Sequence, residues 1–395
     1  MKLSYITLTA AALALLAMPM SAQSLSREQA IEQIKEHNLR LKALAEQHKS
    51  EATALSVAGR FSSQPEVEIE HLWGPDSNRK WNVGVAQSFD WPGVYRRRAK
   101  EAKARIGAFE YLYQAEAREV ALEAALTIDN AIYVHKQIEL NERLIAGVTK
   151  IKDKVSEAYK HGQVTLLDVK KLDFELYTMT AKRADLNQQM DVLKEQLAAL
   201  NGGNDLDVDL TGYMPRPLLS LEQYLSLAIE NNPSVKAAMQ NAEAARLASR
   251  TASAERLPGF SLGYRHAYEE HTHFNGLAVG ISIPVFTNKA AANAADIQAR
   301  SLGFEASEAA AAAKSKVKAA YADATRRAGT LREMSKVVLD NTYPDLLLMA
   351  YNGGQINVIT YLQELSYFES AQTELLAAEY AYVTNLTTLH SIAAE

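Results

Sequence analysis

The chain runs through one pattern twice, and that duplication limits its architecture more than any other feature. Leu25-Ser-Arg-Glu-Gln-Ala-Ile31 returns 194 residues later as Leu219-Ser-Leu-Glu-Gln-Tyr-Leu225. Val83-Gly-Val-Ala-Gln-Ser-Phe89 returns after 196 residues as Val279-Gly-Ile-Ser-Ile-Pro-Val285. Ala158-Tyr-Lys-His-Gly-Gln-Val-Thr-Leu-Leu-Asp168 returns after 192 residues as Ala350-Tyr-Asn-Gly-Gly-Gln-Ile-Asn-Val-Ile-Thr360. Shared Ala-rich composition would not reproduce a Tyr-x-x-Gly-Gln turn in the same order at nearly one offset. Two structural repeats follow, 23–200 and 219–395, joined by a linker at 201–218.

Each copy passes an Asn (Asn38, Asn232) and a helical stretch, meets Pro65 or Pro258, and then changes period. The next residues alternate with the period of two that marks a strand. Val67, Ile69 and His71 oppose Glu66, Glu68 and Glu70; Trp81, Val83, Val85, Phe89 and Trp91 oppose Asn82, Gly84, Ser88 and Asp90. In the second copy Phe260, Leu262, Tyr264 and Tyr268 oppose Ser261, Gly263 and Arg265. Leu277, Val279, Ile281, Ile283 and Val285 likewise oppose Ala278, Gly280 and Ser282. The hairpins are thus expected at 65–91 and 258–286, with polar turns at 74–79 and 269–273. Strands of roughly 9–11 residues with aromatic ends suit a tilted crossing of a bilayer. An open sheet edge is not tolerated in lipid, and small closed barrels need about eight strands. Four strands therefore have to be pooled between subunits, as eight in a dimer or twelve in a trimer.

The helices set the other dimension. A proline-free pattern from 94 to 159 would extend roughly 97 Å at the helical rise. Shorter helices at 26–61 and 166–200 together match it, so two stacked short helices run beside one long one. The second copy repeats this at 289–351, 220–256 and 361–392, with a kink expected at Pro344. At the amino terminus, Lys2 followed by an apolar stretch to about Met18 and the small residues Ser21-Ala22 reads as an export signal spanning 1–22. There is no cysteine, so neither disulfides nor a lipid-carrying cysteine are expected. A net charge of −5 speaks against a nucleic-acid partner.

At Tyr159-Lys-His-Gly-Gln-Val-Thr-Leu-Leu-Asp168-Val and Tyr351-Asn-Gly-Gly-Gln-Ile-Asn-Val-Ile-Thr360-Tyr the sequence resembles the TolC-type outer-membrane efflux proteins. The resemblance covers the whole mature chain and rests on the duplicated helix–hairpin–helix order and these two turns, at 159–169 and 351–361. It implies an α+β membrane protein: long helices forming a tunnel, and four transmembrane strands per chain pooled into a 12-stranded β-barrel in a homotrimer. It also implies a periplasmic adaptor and an inner-membrane efflux pump as partners, outer-membrane lipid around the barrel, and no cofactor. Carried over, Gly162, Gln163, Val164 and Asp168, with Gly354, Gln355 and Ile356, would be the adaptor-docking turns. Physically, Gly ends one helix in a left-handed cap, and Thr165 or Asn357 caps the next. The second copy departs from the family at Thr360 and Gln363, where acids are common, and Glu364 is the nearest substitute.

Other motifs carry less. Gly259-Phe-Ser261-Leu-Gly263 has the letters of a hydrolase elbow but lies in an alternating strand. Asp205, Asp207 and Asp209 are spaced like a calcium loop, yet Leu210 replaces its glycine and Arg216 stands at the place of its glutamate. They read as a solvated linker. His266, His271 and His273 with Glu269 and Glu270 read as an exposed loop. Glu66, Glu68 and Glu70 would face the barrel lumen and make an acidic mouth that favours cations. The expected function is a passive exit duct of a tripartite efflux system with no enzymatic role. The alternatives are a periplasmic coiled-coil adaptor or scaffold and a type I secretion channel. The residues name no substrate.

Overall fold

The computed structural model describes residues 24–60, 64–74, 79–269, 271–283, 289–338 and 342–393. The expected signal segment at 1–22, most of the first hairpin turn, Glu270 and Val285 lie outside the described residues.

The first repeat begins with α1 (Arg27–His37) and α2 (Leu39–Leu55). Ser26 opens α1 with a reciprocal capping box to Gln29. The single helix expected over 26–61 is therefore two. Asn38 leaves the helical conformation, and its Oδ1 accepts from the Leu41 amide at 3.1 Å to start α2. Strands β1 (Glu66–Trp73) and β2 (Arg79–Phe89) follow, then α3 (Pro92–Lys160) and α4 (Leu166–Leu200). At 69 residues α3 is about 104 Å long.

The second repeat has α5 (Leu221–Glu230), α6 (Pro233–Ala254), β3 (Gly259–Glu269), β4 (Thr272–Ser282), α7 (Lys289–Val338), α8 (Tyr343–Asn352) and α9 (Val358–Ala393). Here too the expected 220–256 helix is split, by Asn232, whose Oδ1 caps α6 ahead of Pro233. Pro344 does not kink a continuous helix. It sits in the first turn of α8, where its missing N–H costs nothing.

One asparagine in each repeat joins the stacked helices. Asn38 Nδ2 donates to the Leu200 carbonyl at 2.9 Å, so the end of α4 abuts the start of α2. Asn232 Nδ2 donates to the Ile392 carbonyl at 2.8 Å, which does the same for α9 and α6. The α2/α4 stack and the α6/α9 stack flank α3, and α7 packs on the α6/α9 stack. The linker crosses this midriff. Gly202 (φ 70°) has a left-handed backbone, and a Cβ there would lie 2.7 Å from the His37 carbonyl oxygen. Beyond it the Leu25 amide donates to the Asp207 carbonyl, and the Asp209 amide to the Leu25 carbonyl, both at 2.9 Å.

The core is a chain of clusters along the wall, with no single centre. One holds Ala30, Ile34, Val120, Ile128 and Leu197; its counterpart in the second repeat holds Tyr224, Ala228, Val317 and Leu389. A third, at the far end from the sheet, is built from α3, α4, α8 and α9 around Ile151, Leu172, Leu347 and Tyr361. Among the described residues no helix is long and apolar enough to cross a membrane.

Candidate channel sheet and docking turns

The four strands form one antiparallel sheet in the order β1-β2-β3-β4. Its register places residues directly across from one another on the same face. Val67 pairs with Val85, Val85 with Tyr264, and Tyr264 with Leu277. This face continues through Ile69, Val83, Leu262, Val279 and Ile281, as the alternation predicts. It is bare: Ile69 is 75% exposed, Leu277 80% and Val279 75%. The outer edges of β1 and β4 have no strand partner among the described residues.

The opposite face is small and polar. It carries Glu68, Glu70, Asn82, Gly84, Ala86, Ser88, Ser261, Gly263, Arg265, Ala278 and Gly280. The three glutamates lie there as expected, but two of them are engaged. Arg265 Nη2 donates to Glu68 at 2.9 Å, and Asn82 Nδ2 donates to Glu70 at 2.7 Å. Lys80 also lies 2.8 Å from Glu269. The sequence placed the acids and Arg265 on the polar sides of their own strands but not beside one another, because register across strands has no local signal.

One further expectation changes. His266 and His273 belong to β3 and β4 and lie on the apolar face, and of the expected loop histidines His271 lies between the strands. Their rings stack at 5.4 Å, and His266 Nδ1 lies 2.7 Å from Asn275 Oδ1. Ser261 sits within β3 opposite Ser88 and Gly280, without the strand–turn–helix a nucleophile elbow needs. Asp209 accepts from the Thr211 amide within the linker's own turn.

The sheet is tied to the wall at its base. Arg98 of α3 bonds Asp90 at 2.6 Å and Glu255 at 2.9 Å; burial works to lower its pKa, and the bonds and charges of Glu255 and Asp90 together outweigh it and raise it. Trp91 packs on Phe260.

At the other end of α3 the two Gly-Gln turns lie side by side. Gly162 (φ 68°) and Gly354 (φ 67°) are left-handed. The Gln163 amide donates to the Ala158 carbonyl at 3.0 Å and the Gln355 amide to the Ala350 carbonyl at 2.9 Å, the six-to-one bond of a Schellman cap. Val164 and Ile356 fold inward onto the cluster around Leu172 and Tyr361, while Gly162, Gln163, Gly354 and Gln355 are exposed.

Beyond the glycines the turns differ. Thr165 caps α4 in a capping box: Asp168 Oδ2 accepts from the Thr165 amide at 3.0 Å and from its hydroxyl at 2.7 Å. These bonds hold the Asp168 carboxyl below the usual carboxylate range. In the second turn Asn357 Oδ1 is the acceptor, taking the Thr360 amide at 2.9 Å. Burial pushes the Tyr351 phenol up, and the charge of Asp168 adds to the effect, so the turns sense each other. Glu364 is engaged as well, accepting from Tyr343 Oη at 2.7 Å. An exposed apolar fringe surrounds the turns: Leu166, Leu167, Leu346, Met349 and Ile359. Its signal was available in the apolar residues just past each helix cap.

No family model and no curated protein matches the chain. Solved structures do. The chain is 15% identical to the CusC channel, covering 93% of this chain and 91% of that one with a TM-score of 0.76. It is 16% identical to the open state of the Neisseria gonorrhoeae MtrE outer membrane channel, over 93% and 88%, with a TM-score of 0.72. It is 12% identical to the Campylobacter jejuni CmeC outer membrane channel, over 93% and 85%, with a TM-score of 0.72. The likeness runs through both repeats and the sheet.

Proposed function

We propose that this chain, which has the fold of TolC-type outer-membrane channels, is the passive outer-membrane exit duct of a tripartite efflux system and works as a homotrimer. The observation that carries the proposal is a two-faced, open-edged sheet mounted on a helical wall about 100 Å long. In water, so much contiguous apolar surface would drive aggregation. In lipid, the apolar face is satisfied but the open edges are not. Three copies joined β4 to β1 would answer both demands with a closed 12-stranded barrel, the bare face toward lipid and the small polar face toward the lumen. Glu66, Glu68 and Glu70 would then line the mouth, their charge tempered by Arg265 and Lys80.

The repeats 23–200 and 219–395 would each supply one hairpin to the barrel and one arc of the tunnel, joined by the linker 201–218. The turns at Gly162, Gln163, Val164 and Asp168, and at Gly354, Gln355 and Ile356, would dock a periplasmic adaptor protein that reaches an inner-membrane pump. The exposed leucines beside them fit that role, since interface centres are apolar and rigid. A duct of this kind does no chemistry, and its energy comes from its partners.

Membrane fractionation tests the reading. The mature protein should partition with the outer membrane and migrate on gels as a heat-modifiable trimer. A soluble periplasmic monomer would refute it in favour of a coiled-coil adaptor or scaffold. For the turns, Gly162→Arg and Gly354→Arg should abolish export while trimer and insertion persist; unimpaired export in both would refute the docking assignment.

A further inference from the structure

Half-way along the wall, where α1 lies on α3, a cavity of about 570 Å³ opens between α1, α3, the linker and the carboxyl end of α9. Four cations line it: Arg27, Lys35, Arg118 and Arg216. Three of them are answered. Asp129 holds Arg27 at 2.8 Å, Glu32 holds Lys35 at 2.7 Å, and Glu28 lies 3.7 Å from Arg216.

Arg118 is different. No ion pair or hydrogen bond reaches it among the described residues, and burial pushes its guanidinium pKa down. Arg27 also lines the cavity. Arg27 is only 7% exposed, and its Nη1 is buried with no hydrogen-bond partner. Part-burying a guanidinium without a counter-charge is unfavourable, and a matched anion would recover that cost. A guanidinium's planar fork fits a two-oxygen acceptor, which a phosphate or carboxylate offers and a halide does not.

We propose that this cavity is a binding site for a small free oxyanion, a phosphate or carboxylate, with Arg118 as its principal contact and Arg216 beside it. Glu28 and Glu32 stay committed to Arg216 and Lys35 and set an upper limit on the anion's charge. The site lies away from both the sheet and the docking turns, so occupancy would act on the midriff of the wall, where the linker joins the two repeats.

Calorimetric titration of the purified full-length protein in a zwitterionic detergent tests this, with inorganic phosphate and citrate as separate probes at constant ionic strength. Binding of at least one probe with a dissociation constant on the order of 1 mM or tighter is expected. Arg118→Gln should weaken it by at least about tenfold, the scale of one lost charge-assisted contact. Arg300→Gln, an exposed position on α7, should leave it unchanged. If Arg118→Gln does not fold, Arg216→Gln gives the same readout. Absence of heat with both probes, or equal affinity in the wild type and both cavity variants, would overturn the proposal. The readout needs no export, so its failure is separable from failure of the duct reading.

Discussion

The two repeats share one backbone solution and fill it with different buried chemistry. At the midriff, Asn38 and Asn232 do the same two things: cap the next helix and grip the last turn of the stacked one. One helical turn earlier the copies part. Ala30 and Ile34 of the first repeat correspond to Tyr224 and Ala228 of the second, so the large residue has moved from one position to the other. The first repeat buries an ion pair, Arg27 with Asp129, whose bonds extend to Thr387 of the second repeat. The second instead places Tyr224 Oη 3.1 Å from His390 Nε2, and Asp323, the counterpart of Asp129, bonds Arg326 and Arg327 on the wall's surface. Geometry common to both copies comes from caps and turns, which act locally. Their differences gather where one repeat touches the other.

The largest effect should come from breaking the buried pair. Arg27→Ala leaves Asp129, only 1% exposed, without its cation, and should cost about 3–5 kcal/mol in unfolding. Leu221→Ala, at the equivalent place in the second repeat, should cost about 1 kcal/mol. The double variant Arg27→Met with Asp129→Leu should regain most of the loss, because the pair's desolvation cost disappears with it. Equal losses at Arg27 and Leu221 would erase the asymmetry.

Next, Asn38→Ala and Asn232→Ala should each cost about 2 kcal/mol, one part from the lost cap and one from the orphaned carbonyl. Because the device is the same, thermal melts of the two should agree within about 0.5 kcal/mol, the scatter expected of independent sites. Gly162→Ala and Gly354→Ala should be smaller, about 1 kcal/mol each, since an added Cβ meets no atom within 4 Å and only the left-handed backbone resists it.

The smallest effect separates the turns by pH. The Asp168 pKa is lowered in the folded chain, so its contribution is present above the unfolded carboxylate value of about 3.9 and lost as pH falls through the lower folded one. Hydrogen exchange corrected for its intrinsic pH dependence should therefore show the first turn loosening below about pH 3.9. The second turn, capped by Asn357 and Thr360, should not respond over the same window.

These comparisons also mark what the sequence discloses. Strands, turns and helix caps are written locally: alternation at Val67 and Ile69, Gly-Gln at 162–163 and 354–355, Ser-x-x-Gln at 26 and 220. Both splits were read through, although Pro233 marked the one at Asn232 and no proline marks the one at Asn38. The midriff was illegible for a different reason. Arg27 and Asp129 are 102 residues apart, and an arginine near a helix start looks like any solvated cation until α3 returns beside it. The polar face of the sheet was half legible: Glu66, Glu68 and Glu70 lie on one strand, but Arg265 reaches Glu68 from a strand nearly two hundred residues on.

The central claim is that one face of the sheet meets lipid and the other an aqueous lumen. The chain has no cysteine, so single cysteines report on each face without background. Leu277→Cys and Ala278→Cys are adjacent in β4 and point to opposite faces, paired with Tyr264 and Gly263. In proteoliposomes a membrane-impermeant maleimide should label Ala278→Cys and leave Leu277→Cys unreacted until the bilayer is dissolved. Equal labelling of the two before detergent is added would contradict the account.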